Sequence, residues 1–189
     1  MTQSVLSEEE NMLKATVRDF ADQVLAPNAA RYDESGEFPW DNVRGLAELG
    51  ILGLTIDEEY GGSGGTTRHL AIVAEEIARG DAAASVNMLA HLSLGTNTIY
   101  RFGNEEQKQR LLPSLASGEG IAAWALTEPG GGSDAAALRT TATERDGTYF
   151  LNGSKMFITN ASVAESIVVF ATQDRSKGYK GISAFVVNR

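Results

Sequence analysis

The sequence predicts an α+β chain, with an amino-terminal all-α helical domain over residues 1–119 and an incomplete antiparallel, β-barrel-like domain over residues 120–189. Three observations predict it. Apolar residues recur every three or four positions from Ser7 to Gly118, the spacing of a helix face. After Gly120 the period shortens to two and β-branched and aromatic residues accumulate. Two hairpin dipeptides, Asp146-Gly147 and Asn152-Gly153, then follow within a few residues of each other.

Taken in order, Ser7 with Glu10 three residues on forms a capping box, and Leu13, Val17, Phe20 and Val24 continue one face of a helix that should end near Pro27 or Arg31. Residues 40–50, 66–79 and 82–101 read as further helices. Asn104 with Gln107 caps another ahead of Leu111, Leu112 and Leu115. In the second half, residues 139–145, 148–151 and 154–159 should form an antiparallel meander through two type I′ turns, with strands at 166–172 and 182–187 beside it. The last strand is strongly apolar and has no later element to cover it, so the parent protein is expected to continue past Arg189.

Composition narrows the function. A chain of 189 residues with 42% hydrophobic side chains can bury one large core or two small ones. It has no cysteine, which removes disulfides, thiolate nucleophiles and Cys-ligated metal sites and suits a cytoplasmic location. The opening MTQSVLSEEE lacks the layout of a leader, and apolar runs such as Ile167 to Ala171 are far below the roughly 20 residues of a membrane span. The net charge of −9 is the sum of −10 before Gly120 and +1 after it, which argues against a nucleic-acid partner and puts any anion site in the second half.

Two stretches could carry chemistry. In Trp124-Ala-Leu-Thr-Glu-Pro-Gly-Gly-Gly-Ser-Asp134, three glycines let the backbone approach a ligand and turn its N–H groups together, and Ser133 adds a hydroxyl, an arrangement suited to a pyrophosphate. Trp124 and Thr127 offer a flat face and a hydrogen bond. In Leu151-Asn-Gly-Ser-Lys-Met-Phe-Ile-Thr-Asn160, strand alternation would present Phe157 and Thr159 on one face, able to hold a planar heteroaromatic ring. Alone, the first stretch suits an ordinary glycine-rich loop equally well, and the second reads more readily as a half-buried hairpin strand with Phe157 in the core.

Together, TEPGGGSD and NGSKMFITN resemble the signature of the acyl-CoA dehydrogenase family, supported by EEYGGSGG, FGNEEQKQRLLPSLASGE and WALTEP, so the resemblance covers nearly the whole chain. It implies an FAD-dependent α,β-dehydrogenation of acyl-CoA thioesters to trans-2-enoyl-CoA, a step of fatty-acid β-oxidation. By the same resemblance Trp124, Leu126 and Thr127 lie along the isoalloxazine ring, Gly132 and Ser133 meet the FAD pyrophosphate, and Phe157, Ile158 and Thr159 pack beside the ring and hydrogen-bond near N5. Family members often carry Trp where Phe157 stands, and Phe has no indole N–H to donate. Ser133, with Val86 and Ala90 from the helix matching the acyl tunnel, would meet the substrate, and the two small apolar residues leave room for a medium or long acyl chain. The family's catalytic glutamate comes from a carboxy-terminal bundle, so no residue here is assigned as the base, and Glu128 is expected to be structural. The resemblance further implies an electron-transfer flavoprotein as electron acceptor and a homotetramer or homodimer. Same-fold alternatives are a flavin monooxygenase or nitroalkane oxidase; a third is a non-catalytic flavin- or partner-binding fragment.

Other matches carry less. Gly61-Gly-Ser-Gly-Gly65 fits a nucleophile elbow by letter but has no strand leading into it, and reads as a flexible interhelical loop. His69 and His91 lack metal-ligand spacing and read as ordinary helix residues. Glu75 and Glu76 beside Arg79 read as a solvated charged face.

Overall fold

A computed structural model describes residues 6–189. The reading of Met1 to Val5 as part of a chain without a leader lies outside the described residues. The amino-terminal half is helical throughout: α1 (Glu8–Phe20), α2 (Ala26–Ser35), α3 (Trp40–Glu48), α4 (Thr67–Gly80), α5 (Ala82–Leu89), α6 (Asn97–Phe102) and α7 (Glu105–Ser117). Both capping boxes form, Ser7 with Glu10 and Asn104 with Gln107. Among the described residues no helix is long and apolar enough to cross a membrane.

The first helix runs past its expected end. A π turn at Ala21–Leu25 joins α1 directly to α2, and Gly36 closes the run in the left-handed conformation (φ 67°). Pro27 falls in the first turn after the π segment, where the chain can dispense with its amide hydrogen. A second π segment, Ala90–Thr96, joins α5 to α6 and supports β1 (Ala122–Ala125). A Cβ at Gly95 would stand 2.6 Å from that of Ala122, so only glycine lets helix and strand approach this closely.

The sheet is mixed where an antiparallel meander was expected. It contains β2 (Thr141–Arg145), β3 (Thr148–Asn152), β4 (Ser166–Thr172) and β5 (Ile182–Asn188) beside β1, in the order β1-β4-β2-β3, with β5 on β4. β1 pairs with β4 in parallel, Trp124 opposite Val168, while β2–β3 and β4–β5 are antiparallel. The Asp146-Gly147 turn has both residues at positive φ (52° and 75°), as a type I′ turn requires. Asn152-Gly153 makes no hairpin, and residues 154–159 are a loop instead of a third meander strand. Gly153 serves close approach: a Cβ there would overlap Thr140. Two backbone reversals, Phe157 at φ 57° and Asn160 at φ 68°, prevent a strand from continuing.

One hydrophobic core crosses from helices to sheet, joining Leu25, Leu52, Ile77 and Leu115 to Ile121, Ala122 and Val168. His91 fastens this junction. Its Nδ1 accepts from the N–H of Ala122 at 2.9 Å, so the proton resides on Nε2, which lies 3.3 Å and 3.1 Å from the carbonyls of Leu52 and Leu115. Burial lowers its pKa to about 4 against the two carbonyl contacts, and the neutral ring links four segments. Glu76 also departs from its expected solvated position: it is 1% exposed and ties α4 to α1. Hydrogen bonds from Arg18 and Arg79, with Lys14 nearby, hold its pKa at about 2 against desolvation. The Gly61–Gly65 segment is pinned, since the amides of Gly64 and Gly65 donate to the carbonyls of Ile56 and Leu54.

Candidate functional site

The two signature stretches lie side by side. β1 ends at Ala125, and the chain continues through Leu126 and Thr127 into a tight turn in which Glu128 and Gly131 exchange backbone hydrogen bonds of 3.0 and 3.1 Å. The loop that replaces the third meander strand packs against this stretch, the N–H of Met156 donating to the carbonyl of Thr127 at 3.0 Å. Thr127, Ile158 and Thr159 are half-buried, whereas Phe157 is 85% exposed at positive φ. A bulky aromatic in both conditions is unfavourable alone, and such residues collect where a ligand or partner repays the cost.

Trp124 is half-buried and meets Phe170 edge to face, with centroids 4.9 Å apart, so its ring is braced from the core side. Gly130, Gly132 and Ser133 are exposed, and a Cβ on either glycine would meet nothing within 4 Å. None of Gly130, Gly131 and Gly132 uses a positive φ, and the amide of Gly131 is committed to Glu128. What these glycines provide is open approach to the backbone. Val86 and Ala90 are not presented together, because Val86 is exposed and Ala90, where the π segment begins, is buried.

Glu128 holds the site from behind. Its carboxylate accepts from Lys155 Nζ at 2.8 Å, from the amides of Arg139 and Thr140 at 2.5 and 2.9 Å, and from Thr140 Oγ1 at 2.5 Å. Desolvation pushes its pKa up, but the hydrogen bonds from Lys155, Thr140 and the two amides outweigh this and hold it at about 2. A carboxylate so held is a poor proton acceptor near neutral pH, in keeping with a structural role. Lys155 also donates to the carbonyl of Leu126 at 3.0 Å, clasping one signature stretch to the other.

Lys155 and Asn160 were part of the motif in sequence but had no assigned role. Asn160 Nδ2 donates to the carbonyl of Asn87 in α5 at 2.9 Å and reaches that of Ala122 in β1 at 3.4 Å, so the loop is anchored to both halves. A lysine and an asparagine flanking an apolar run signal such contacts only weakly, because their partners are distant backbone carbonyls. Among the described residues no group of three or more His, Cys, Asp or Glu could hold a metal.

The chain is similar to known proteins over nearly its whole length. Residues 7–119 match the acyl-CoA dehydrogenase N-terminal domain, and residues 123–189 match the acyl-CoA dehydrogenase middle domain. An acyl-CoA dehydrogenase of Bacillus subtilis is 44% identical over 184 residues, covering 97% of this chain and 48% of the relative. The butyryl-CoA dehydrogenase structure from Megasphaera elsdenii superposes with a TM-score of 0.93 at 39% identity, over 99% of this chain and 50% of that one. An acyl-CoA dehydrogenase from Bacillus anthracis, solved in complex with FAD, gives 0.88 at 40% identity over 100% and 32%. The chain spans about half the length of the curated relatives it matches. With both domains matched from Ser7 to Arg189, the chain belongs to the acyl-CoA dehydrogenase family.

Proposed function

We propose that this chain provides the flavin- and substrate-facing part of an FAD-dependent acyl-CoA dehydrogenase, with residues 1–119 and 120–189 as its two domains. The observation that carries this reading is the exposed Phe157 ring, set at positive φ in a loop that is hydrogen-bonded to the Trp124–Thr127 stretch. An extended ligand with a flat ring and a polyanionic tail suits these residues. Phe157 and Trp124 offer apolar surface, Thr127 and Thr159 offer hydroxyls, and the open backbone at Gly132 with Ser133 suits a pyrophosphate. Ile158, between Phe157 and Thr159, and Leu126, beside Thr127, complete the apolar lining.

Bound there, FAD would supply the redox chemistry by accepting the substrate β-hydrogen as hydride. The residues of this chain bind and orient: they fix the ring plane, hold the pyrophosphate and, through Ser133, border the acyl-CoA, whereas the buried Ala90 and the exposed Val86 do not form one wall for it. The α-proton is taken by a base from outside these residues, since Glu128, the glutamate of the signature stretch, is held ionised by Lys155 and Thr140. The naming of a similar protein as a butyryl-CoA dehydrogenase supports a short acyl chain over the medium or long one expected from Val86 and Ala90. An electron-transfer flavoprotein as electron acceptor, and a homodimer or homotetramer, belong to the same reading.

Titration with FAD, followed by flavin absorption and fluorescence quenching, tests it. In the protein at the full length of its relatives, Thr159→Ala and Thr127→Ala should each weaken FAD binding at least tenfold, and butyryl-CoA should bleach the bound flavin. The 189-residue chain alone should bind FAD weakly and oxidise no butyryl-CoA. Equal FAD affinity in the parent, both threonine variants and Phe157→Ala would remove the basis for the assignment.

A further inference from the structure

A pocket of about 200 Å³ opens just past the glycine-rich stretch, lined mainly by Leu138, Arg139, Thr172, Arg175, Gly178 and Ile182. Leu138 and Thr172 are buried, whereas Arg139 and Arg175 are exposed. The Arg175 guanidinium donates to the carbonyl of Arg139 at 2.6 Å, which holds it beside the Arg139 backbone with most of its N–H donors unused. The segment Arg175–Gly181 that carries it is pinned at its base, where the Gln173 amide and the Thr172 hydroxyl both donate to the carbonyl of Gly181. Gly178 stands at φ 57° and ψ −135°, a conformation suited to glycine, and a Cβ there would meet nothing within 4 Å.

Charge selects the class of ligand. Among the described residues of the second half the ion pairs are Lys155 with Glu128 and Lys177 with Asp174, so neither arginine of the pocket has a carboxylate partner. No residue lining the pocket is acidic. Two uncompensated guanidiniums on one pocket create a local positive field in a chain of net charge −9, and their forked donors match phosphate oxygens. The volume lies below the roughly 300–1,000 Å³ of a site that encloses a whole small molecule, so the pocket suits one end of a ligand that extends elsewhere. FAD and acyl-CoA both carry a diphosphate, but acyl-CoA also ends in a 3′-phosphomonoester, a group of charge roughly −1.5 to −2 near neutral pH. The open backbone at Gly132 and Ser133 suits a diphosphate, and a pair of arginines suits the more concentrated charge of the monoester.

We infer that Arg139 and Arg175 form a phosphate site that grips the nucleotide end of the acyl-CoA by its 3′-phosphate. It rests on the acyl-CoA reading of the neighbouring stretch. The pocket wall begins at Ala136, close in sequence to Ser133, so one ligand can pass from the hydroxyl to the arginines. Such a contact is remote from the reacting carbons and acts on substrate binding, leaving the chemical step to other groups.

Two measurements test it. In the ¹⁵N-labelled chain, adenosine 3′,5′-bisphosphate should shift the amides of Arg139 and of Arg175–Gly181 and bind about tenfold more tightly than ADP, a preference reduced in Arg139→Gln, whose side chain has no ion pair to lose. In the protein at the full length of its relatives, Arg139→Gln and Arg175→Gln should each raise KM for butyryl-CoA about tenfold at low salt with kcat unchanged. The effect should vanish on butyryl-pantetheine, which lacks the nucleotide. Equal binding of ADP and the bisphosphate, shifts confined to other segments, or a loss of the same size on butyryl-pantetheine would overturn the inference. Selective binding of the bisphosphate without oxidation of butyryl-CoA would support the phosphate site and count against the dehydrogenase reading. Oxidation of butyryl-CoA with unchanged KM in both variants would remove the site and leave that reading intact.

Discussion

At the scale of single residues, the site is organised around the buried carboxylate of Glu128. Glu128 combines burial with a lysine, a hydroxyl and two amides, so its charge is compensated on every side the structure describes. Removing one partner is therefore costly, because the charge remains after its strongest ion pair has gone. Lys155→Met should lose about 2 kcal/mol, the range of a hydrogen bond to a charged group. For a chain of this size that is a fall of roughly 4–8 °C in melting temperature. The same variant frees the carbonyl of Leu126, so the Trp124 fluorescence environment should change with it. Calorimetry and fluorescence read the two effects separately, and a melting temperature within one degree of the parent would show that solvent replaces the clasp at no cost.

At the scale of elements, the ends of helices and the spacing between layers have different sources. Ser7→Ala removes a cap that the sequence states locally, and should cost about 1 kcal/mol. Gly95→Ala would raise helix propensity by about 1 kcal/mol, yet its new Cβ would stand 2.6 Å from Ala122. Overpacking of this kind costs roughly 1–3 kcal/mol, so this variant too should be destabilised in urea unfolding. A stabilised Gly95→Ala would mean that β1 moves freely away from the helix. The contrast explains what was legible in the sequence. Capping boxes, the Asp146-Gly147 turn and the change of period at Gly120 are local patterns and appear as read. The π segments, the loop at 154–159 and the parallel pairing of β1 with β4 depend on partners far along the chain. No local pattern states that Gly153 must clear Thr140, that Lys155 reaches Leu126, or that Ile121 and Ala122 pack beneath Val168. For the candidate site, the two signature stretches named from the sequence do lie side by side, but strand alternation is the wrong reason for grouping Phe157 with Thr159, since the loop reverses at Phe157 itself.

At the scale of the whole molecule, the single core and its buried ionisable groups predict how stability responds to acid. His91 titrates near 6.5 when unfolded and at about 4 when folded, because burial disfavours the charged ring and outweighs the two carbonyl contacts of Leu52 and Leu115. Between those values the unfolded chain binds more protons, so stability falls as pH drops from 6.5 to 4, and this contribution levels off below 4. Glu76 and Glu128 titrate near 4.5 when unfolded and about 2 when folded, so their share is intact above 4.5 and is lost as pH falls towards 2. The carboxylates of Glu10, Asp41, Glu105 and Asp174, also held below their usual range by hydrogen bonds and nearby cations, add to the lower window. Each group changes stability by at most about 1.4 kcal/mol per pH unit. The urea midpoint should therefore decline in two stages, a shallow one from pH 6.5 that belongs to one proton and a steeper one below 4.5 that belongs to several. His91→Gln should be less stable at pH 7.5, since it breaks the junction of α7, the π segment and β1, but its midpoint should be flat from pH 7 to 5. A parent protein whose midpoint is already flat over that interval would show that the His91 ring accepts a proton without disturbing the junction between helices and sheet.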